Sequence, residues 1–209
     1  DRLAGFFASQ NTELYVGVDP RKENHPIYRE QADYYEGQLT MFETMKKVDF
    51  YCEAAEDFYY DGYDDTFDVI FTSPPYFNVE RYSHDDNQSW VRYKDIDGWN
   101  TQFLQKALDN MLPTLKSGGK LCVNISDVYS PSAGKKTWSK ICDPMNDFIQ
   151  SYGGMEYKGC IGMEMAKRPN SGGAGTAKDK TQYSEESLQL AEETKNKRFC
   201  EPIWIWEKK

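Results

Sequence analysis

The sequence predicts an α/β fold with a doubly wound, mostly parallel sheet, and three observations carry that expectation. Apolar runs of strand length, such as Leu14 to Val18 and Phe67 to Thr72, alternate with longer stretches of helical spacing along the chain. Glycine pairs and prolines fall between those runs, where turns are needed. The length of 209 residues is that of one ordinary domain, long enough to bury a real core.

In chain order, Asp1 to Gln10 reads as a helix and Leu14 to Val18 as the first strand. Pro26 to Lys47 reads as mostly helical with a break near Gly37, because glycine costs a helix interior about 1 kcal/mol relative to alanine. Val48 to Cys52 and Phe67 to Thr72 are the next strands. From Trp99 to Leu115 the residues Phe103, Leu104, Leu108, Met111 and Leu112 recur at helical spacing, and Ser117-Gly118-Gly119 reads as a helix stop. Leu121 to Ile125 follows as a buried strand. Asp143-Pro144 has the form of an N-cap with proline at the first helical position, opening a helix to Tyr152 ahead of Gly153-Gly154. Met155 to Met163 and Cys200 to Trp206 complete the pattern as strands, the last alternating Ile203 and Ile205 against Trp204 and Trp206. Ligands of such sheets bind at the carboxyl ends of the strands, which sets Asp19, Glu56 and Ser73 along one rim.

Composition narrows the function classes. No run approaches the roughly 20 apolar residues of a membrane helix, and no basic-then-apolar segment opens the chain, so a cytoplasmic setting is expected. The five cysteines are an odd count, most of them in expected strands where a reduced thiol packs as a small apolar group, and no disulfide is expected. The only histidines, His25 and His84, are far apart, and with no Cys-x-x-Cys no metal site is expected. Lys and Arg total 25 against 34 Asp and Glu, a net charge of −9, where a duplex binder usually carries a basic footprint. The charge is uneven. No Lys or Arg lies between Lys47 and Arg81, whereas Lys167, Arg168, Lys178 and Lys180 share one glycine-rich stretch, which reads either as a local basic surface or as a solvated loop.

Thr72-Ser73-Pro74-Pro75-Tyr76-Phe77 is the segment that carries chemistry. Two prolines fix φ and remove both backbone donors, so the chain leaves its strand stiff, presenting carbonyl oxygens and no N–H. A flat heterocycle bearing an amino group could donate to the Ser73 hydroxyl and the Pro74 carbonyl while Tyr76 or Phe77 stacks on its face.

Ser-Pro-Pro-Tyr after a hydrophobic strand resembles the catalytic motif of the amino-methyltransferases that modify adenine N6 or cytosine N4 in DNA. The order of the remaining segments agrees: Asp1 to Ser9 resembles the helix after the family's glycine-rich cofactor loop, and Tyr15-Val16-Gly17-Val18-Asp19-Pro20 its second strand with a terminal acid. The resemblance implies one Rossmann-like, doubly wound domain over residues 1–209 that uses S-adenosyl-L-methionine. It implies catalytic roles for Ser73, Pro74, Pro75 and Tyr76. Asp19 is expected to accept ribose hydroxyls of the cofactor, with Glu56 and Asp57 near its adenine and Thr72 also in contact. Glu53 is an alternative to Glu56, and helix capping is the competing role for Glu56 or Asp57. Relatives carry a strand and a Gly-rich loop ahead of the helix that opens this chain at Asp1; the natural protein is therefore expected to be longer, and the chain by itself unstable or oligomeric through unpaired strand edges.

DNA is the expected partner, with the target base flipped out of the helix into the site. The long connection at 78–98 is expected to close over that base, Phe77 and Glu80 contacting it, and Lys167 and Arg168 in the basic, glycine-rich insertion at 165–198 are expected to meet the phosphate backbone. The motif leaves open cytosine against adenine, an RNA, free-base or protein-glutamine substrate, and a binding module without activity.

Overall fold

The computed structural model describes residues 2–38, 45–130, 137–164 and 200–209. The first helix, α1 (Arg2–Ala8), buries Leu3, Phe6 and Phe7, the i, i+3, i+4 set that shares one helix face. Strand β1 (Leu14–Val18), helix α2 (Asn24–Glu36) and strand β2 (Lys47–Tyr51) form a βαβ unit, with β1 and β2 parallel from Leu14 opposite Lys47 to Val18 opposite Tyr51. Helix α2 ends at Gly37, where the sequence places the break. Gly17 is needed in β1, because a Cβ there would lie 3.0 Å from the Phe50 ring. A small core of Leu3, Phe6, Phe7 and Ala32, lined by Tyr15, Tyr35, Val48 and Phe50, holds this unit together. The buried Lys46 seals its edge by donating to the carbonyls of Phe6, Ser9 and Thr12 and to the Thr12 hydroxyl, supplying a cation where the C-terminus of α1 leaves acceptors unpaired.

The second βαβ unit runs from β3 (Phe67–Thr72) to β4 (Leu115–Asn124), again parallel. The long connection between them holds a short helix, α3 (Ser89–Arg92), and then α4, built of consecutive stretches Ile96–Gly98, Trp99–Gln105 and Lys106–Met111. The middle stretch is wound as a π-helix, which the sequence spacing does not reveal. The expected stop at Ser117-Gly118-Gly119 is a correction. A tight turn, Leu112–Thr114, ends the helical run at Pro113, and fully buried Leu115 already belongs to β4, so those glycines form an irregularity inside the strand. A Cβ on Gly119 would come within 2.9 Å of the Lys116 carbonyl oxygen.

A hairpin of β5 (Val128–Ser130) and β6 (Thr137–Ser139) leads to α5 (Cys142–Tyr152), then β7 (Met155–Glu164) and β8 (Cys200–Lys208). Here too the capping differs from expectation. The N–H groups at the start of α5, on Ile141 and Cys142, donate to Asp127 Oδ1 at 2.8 and 2.9 Å, so the acid comes from the link between β4 and β5 rather than from Asp143. Gly153 (φ 82°) and Gly154 (φ 69°) end the helix as the sequence indicates. Strand β8 lies antiparallel to both β4 and β7, giving the order β3-β4-β8-β7. The fold class is α/β as expected, but the larger sheet is mixed, because β7 and β8 return on each other across the sheet edge.

The main core lies between this sheet and helices α4 and α5; Trp204 and Trp206 bury their rings in it while Ile203 and Ile205 take the opposite face, as the alternation predicts. Among the described residues β1 and β3 each pair on one side only, and Val69 and Phe71 of β3 remain 58% and 42% exposed. Arg2 spans toward that edge, its guanidinium 5.2 Å from the centre of the Phe71 ring. No described helix is long and apolar enough to cross a membrane.

Candidate active site

Strand β3 delivers the Ser-Pro-Pro-Tyr turn to the carboxyl end of the larger sheet. Thr72 closes the strand opposite Val123, on the face that packs into the core, and Ser73 emerges exposed beyond it. The Ser73 hydroxyl donates to Asn124 Oδ1 at 3.3 Å, and the Asn124 amide donates to the Pro202 carbonyl at 3.1 Å. Pro74 is buried, and its carbonyl accepts no hydrogen bond among the described residues. The turn is closed by three contacts: Phe77 N–H to the Pro75 carbonyl (2.9 Å), Val79 N–H to the Tyr76 carbonyl (2.9 Å), and Tyr76 N–H to the Glu80 carboxylate (3.1 Å).

That tightness holds Phe77 at a φ of 40°, a left-handed conformation that costs a non-glycine residue on the order of 1–3 kcal/mol. Its ring, 6% exposed and edge-on to Trp99 at 6.2 Å, anchors the turn in the core. The sequence reading turns Phe77 toward a base, and the structure turns it inward. Tyr76 is half-buried, with its ring against the main core and its enclosed hydroxyl near Ser126 but without a hydrogen bond among the described residues. Burial, reinforced by the Glu201 carboxylate, pushes that hydroxyl well above the ordinary tyrosine range. Glu80 serves the turn, and the Tyr82 hydroxyl beside it is pushed up to about 12 by burial and by its hydrogen bond to Glu80.

The carboxyl ends of β1 and β2 form a second corner. Asp19 Oδ1 accepts the Arg21 N–H at 2.8 Å, and Oδ2 accepts from the Asn24 amide at 3.0 Å and from the Tyr28 hydroxyl. Burial and the Asp19 carboxylate push the Tyr28 hydroxyl up to about 12. Glu56 is turned into the protein, not toward this corner. Its side chain is 1% exposed, and Oε1 accepts from Arg92 at 3.0 Å and from the Tyr93 hydroxyl at 3.2 Å. Desolvation holds the Glu56 carboxyl above its usual range despite Arg92, whereas hydrogen bonding to Arg92 holds the exposed Asp57 below it, with Lys106 assisting. Glu53, just past β2, is exposed.

The 78–98 connection straps the two corners together. Asn87 donates to the Pro20 carbonyl at 2.8 Å, next to Asp19, and Arg92 reaches Glu56 and Asp57. Trp90 pins the strap, donating to the Ser83 carbonyl at 2.8 Å with the cations of Arg81 and Lys94 over its ring. Lys167 and Arg168, with the whole 165–198 insertion, lie outside the described residues. Asn87 and Arg92 belong to the polar groups that mark the 78–98 connection as functional in the sequence, without their partners being legible there; Asn124 was missed, although a polar residue ending an apolar strand on the expected rim is a signal.

A family model described as DNA methylase matches residues 67–209, the portion that carries the Ser-Pro-Pro-Tyr turn and the whole larger sheet. The chain belongs to that family. Solved structures of similar outline are remote from this chain in sequence. A candidate DNA modification methylase from Thermus thermophilus, complexed with S-adenosyl-L-methionine, is 16% identical over 75% of this chain and 53% of its own, with a TM-score of 0.45. A candidate S-adenosylmethionine-dependent methyltransferase from Listeria monocytogenes is 11% identical over 100% of this chain and 96% of its own, TM-score 0.42. The N-methyltransferase NodS from Bradyrhizobium japonicum is 9% identical over 99% and 92%, TM-score 0.44. The chain spans about half the length of the Thermus protein. None of the curated proteins matches it.

Proposed function

We propose that this methylase transfers a methyl group from S-adenosyl-L-methionine to the exocyclic amino group of a DNA base, cytosine N4 or adenine N6. The observation that carries the reading is the stiff Ser73-Pro74 exit from β3, where an exposed residue with a hydroxyl is followed by a carbonyl that accepts no hydrogen bond among the described residues, within the stretch that matches the family. Bound S-adenosyl-L-methionine would supply a methyl group on a positively charged sulfur. The residues at the second corner, at the ends of β1 and β2, fit its ribose in a limited way. Asp19 Oδ1 accepts one hydrogen bond and keeps a lone pair for a ribose hydroxyl, while a second hydroxyl would have to displace Tyr28 or Asn24 from Oδ2. Exposed Glu53 is the acid placed to meet the adenine, since Glu56 is committed to Arg92.

On the substrate side, the target base leaves the duplex to reach the turn. Ser73 and the Pro74 carbonyl accept the two amino hydrogens, which orients the nitrogen lone pair out of the base plane, and Tyr76 offers the exposed part of its ring for stacking. The oriented nitrogen would accept the methyl group, the cofactor sulfur retaining the electrons of the carbon–sulfur bond, and exposed Ser73 leaves the methylated nitrogen a path to shed its proton to solvent. No strong base is needed, so positioning supplies most of the rate. The test is incubation of the protein with S-adenosyl-L-methionine and genomic DNA, digestion, and mass spectrometry of the nucleosides. Methylcytosine or methyladenine should accumulate, and Ser73→Ala should lower turnover by about tenfold to a few hundredfold with cofactor affinity unchanged. DNA left unmethylated by protein that binds the cofactor would sink the proposal.

A further inference from the structure

Two contacts in sequence assign a direction to each hydrogen bond behind the Ser73 hydroxyl. A backbone carbonyl can only accept, so the Pro202 oxygen requires the Asn124 NH₂ group to face it at 3.1 Å. That fixes the side-chain amide, whose two ends are otherwise interchangeable. Oδ1 of Asn124 is thereby left facing Ser73 at 3.3 Å, and an amide oxygen also only accepts, so the single Ser73 proton points at Asn124. Only lone pairs remain on the exposed side of Ser73. The pair is set in the sheet: Asn124 ends β4, is 5% exposed and stands opposite Ile203 of β8, so it has little freedom to turn over.

We propose that Asn124 is a positioning residue for methyl transfer, and that through Ser73 it gives the site acceptor character, favouring a base edge that presents an amino group over one that presents a keto oxygen. The inference rests on the assignment of Ser73 given under the proposed function and deepens it. A serine hydroxyl alone is both donor and acceptor and would hold a keto oxygen as readily as an amino group. With its proton committed to Asn124, a keto oxygen would meet lone pairs, and such unpaired polar contacts are what give sites strong discrimination. The Ser73–Asn124 distance is longer than the usual hydroxyl hydrogen bond of about 2.7–2.8 Å. Catalytic contacts of this kind are commonly long before substrate binds and tighten in the complex.

The test is a double-mutant cycle on methylation of genomic DNA, with kcat and the apparent KM for DNA measured for the parent, Ser73→Ala, Asn124→Ala and the double variant. Asn124→Ala should lower kcat about tenfold with KM and cofactor affinity within about twofold, and in the Ser73→Ala background it should have no further effect. A purely structural role predicts losses that multiply, and that result overturns the proposal. Asn124→Asp keeps an acceptor for the Ser73 proton but sets its second oxygen against the Pro202 carbonyl, so stability should fall while the kcat of the folded protein returns to within a few-fold of the parent; a kcat no better than that of Asn124→Ala would also overturn it. If Asn124→Ala does not fold, the same cycle is run with Asn124→Asp, where a large loss that multiplies with Ser73→Ala refutes the positioning role. A parent that methylates no DNA, or a Ser73→Ala variant of unchanged turnover, instead removes the underlying assignment of Ser73, which keeps the two failures apart.

Discussion

Arg92→Met removes the cation from a carboxylate that has nowhere else to turn. The Glu56 side chain is 1% exposed and that of Arg92 is 30% exposed. Removing one partner of a fully buried pair costs about 3–5 kcal/mol, and an exposed pair is worth about 0–1 kcal/mol. With Arg92 partly solvated and Tyr93 still donating to Glu56, a loss of about 2 kcal/mol is expected, or about 4–8 °C in Tm for a domain of this size. The pH dependence has a defined sign. The Glu56 carboxyl already lies above its usual range, so its burial as a charge costs stability at neutral pH, and that cost is relieved as pH falls through its folded-state value. In the variant this carboxyl rises further. Asp57, held low by Arg92, contributes stability to the parent above the usual carboxylate range and loses it as pH falls through its depressed value. Both effects shrink the difference between parent and variant in acid. Thermal unfolding at neutral pH and at about pH 5 measures the Glu56 part, and the Asp57 part sets in only below the usual carboxylate range. Adding Glu56→Gln to the variant should restore most of the loss. A Tm change within about 1 °C at neutral pH, or an equal deficit at both pH values, would refute the reasoning.

Asp19→Ala should weaken S-adenosyl-L-methionine binding by about 1–3 kcal/mol in calorimetry, and should also bring the Tyr28 hydroxyl down from about 12 in an ultraviolet titration, because Asp19 contributes to that elevation. Lys46→Met leaves several acceptors at the end of α1 unpaired and should cost about 1–3 kcal/mol by urea denaturation, with turnover of the folded protein little changed. Replacing Lys167, Arg168, Lys178 and Lys180 with Gln should flatten the salt dependence of DNA binding by a slope of about 0.9 for each lost phosphate contact; identical slopes would return that stretch to the role of solvated loop.

The sequence made the strands legible because their apolar runs are short and bounded by turn formers; β1 and β3 have the expected limits. The Ser-Pro-Pro-Tyr turn was legible for a local reason, since two prolines dictate their own backbone. What stayed hidden depends on partners distant in sequence. Asp127 caps α5 across an intervening hairpin, and Arg92 claims Glu56 from 36 residues away, so the acid after β2 is a latch and not a free ligand. The inward turn of Phe77 was hidden as well, because a bulky residue at positive φ is no turn signature, and here the turn's own hydrogen bonds hold that φ while the ring lies against Trp99. The π-wound stretch of α4 has apolar spacing that an α-helix would share.

The division of the interior into two cores has a thermodynamic consequence. Among the described residues, four buried side chains hold the β1–β2 unit, against the far larger set under β3, β4, β7 and β8. Local stability follows buried apolar contact, so the two units need not open together. The weaker one carries Asp19, and its amides should exchange with solvent through partial openings that leave the Ser-Pro-Pro-Tyr turn protected. A ligand seated at Asp19 binds only the closed form and adds its own binding free energy to that unit. Occupancy of that corner would then act as a folding ligand for roughly the first quarter of the chain, tying the rigidity of the protein to whatever the corner holds.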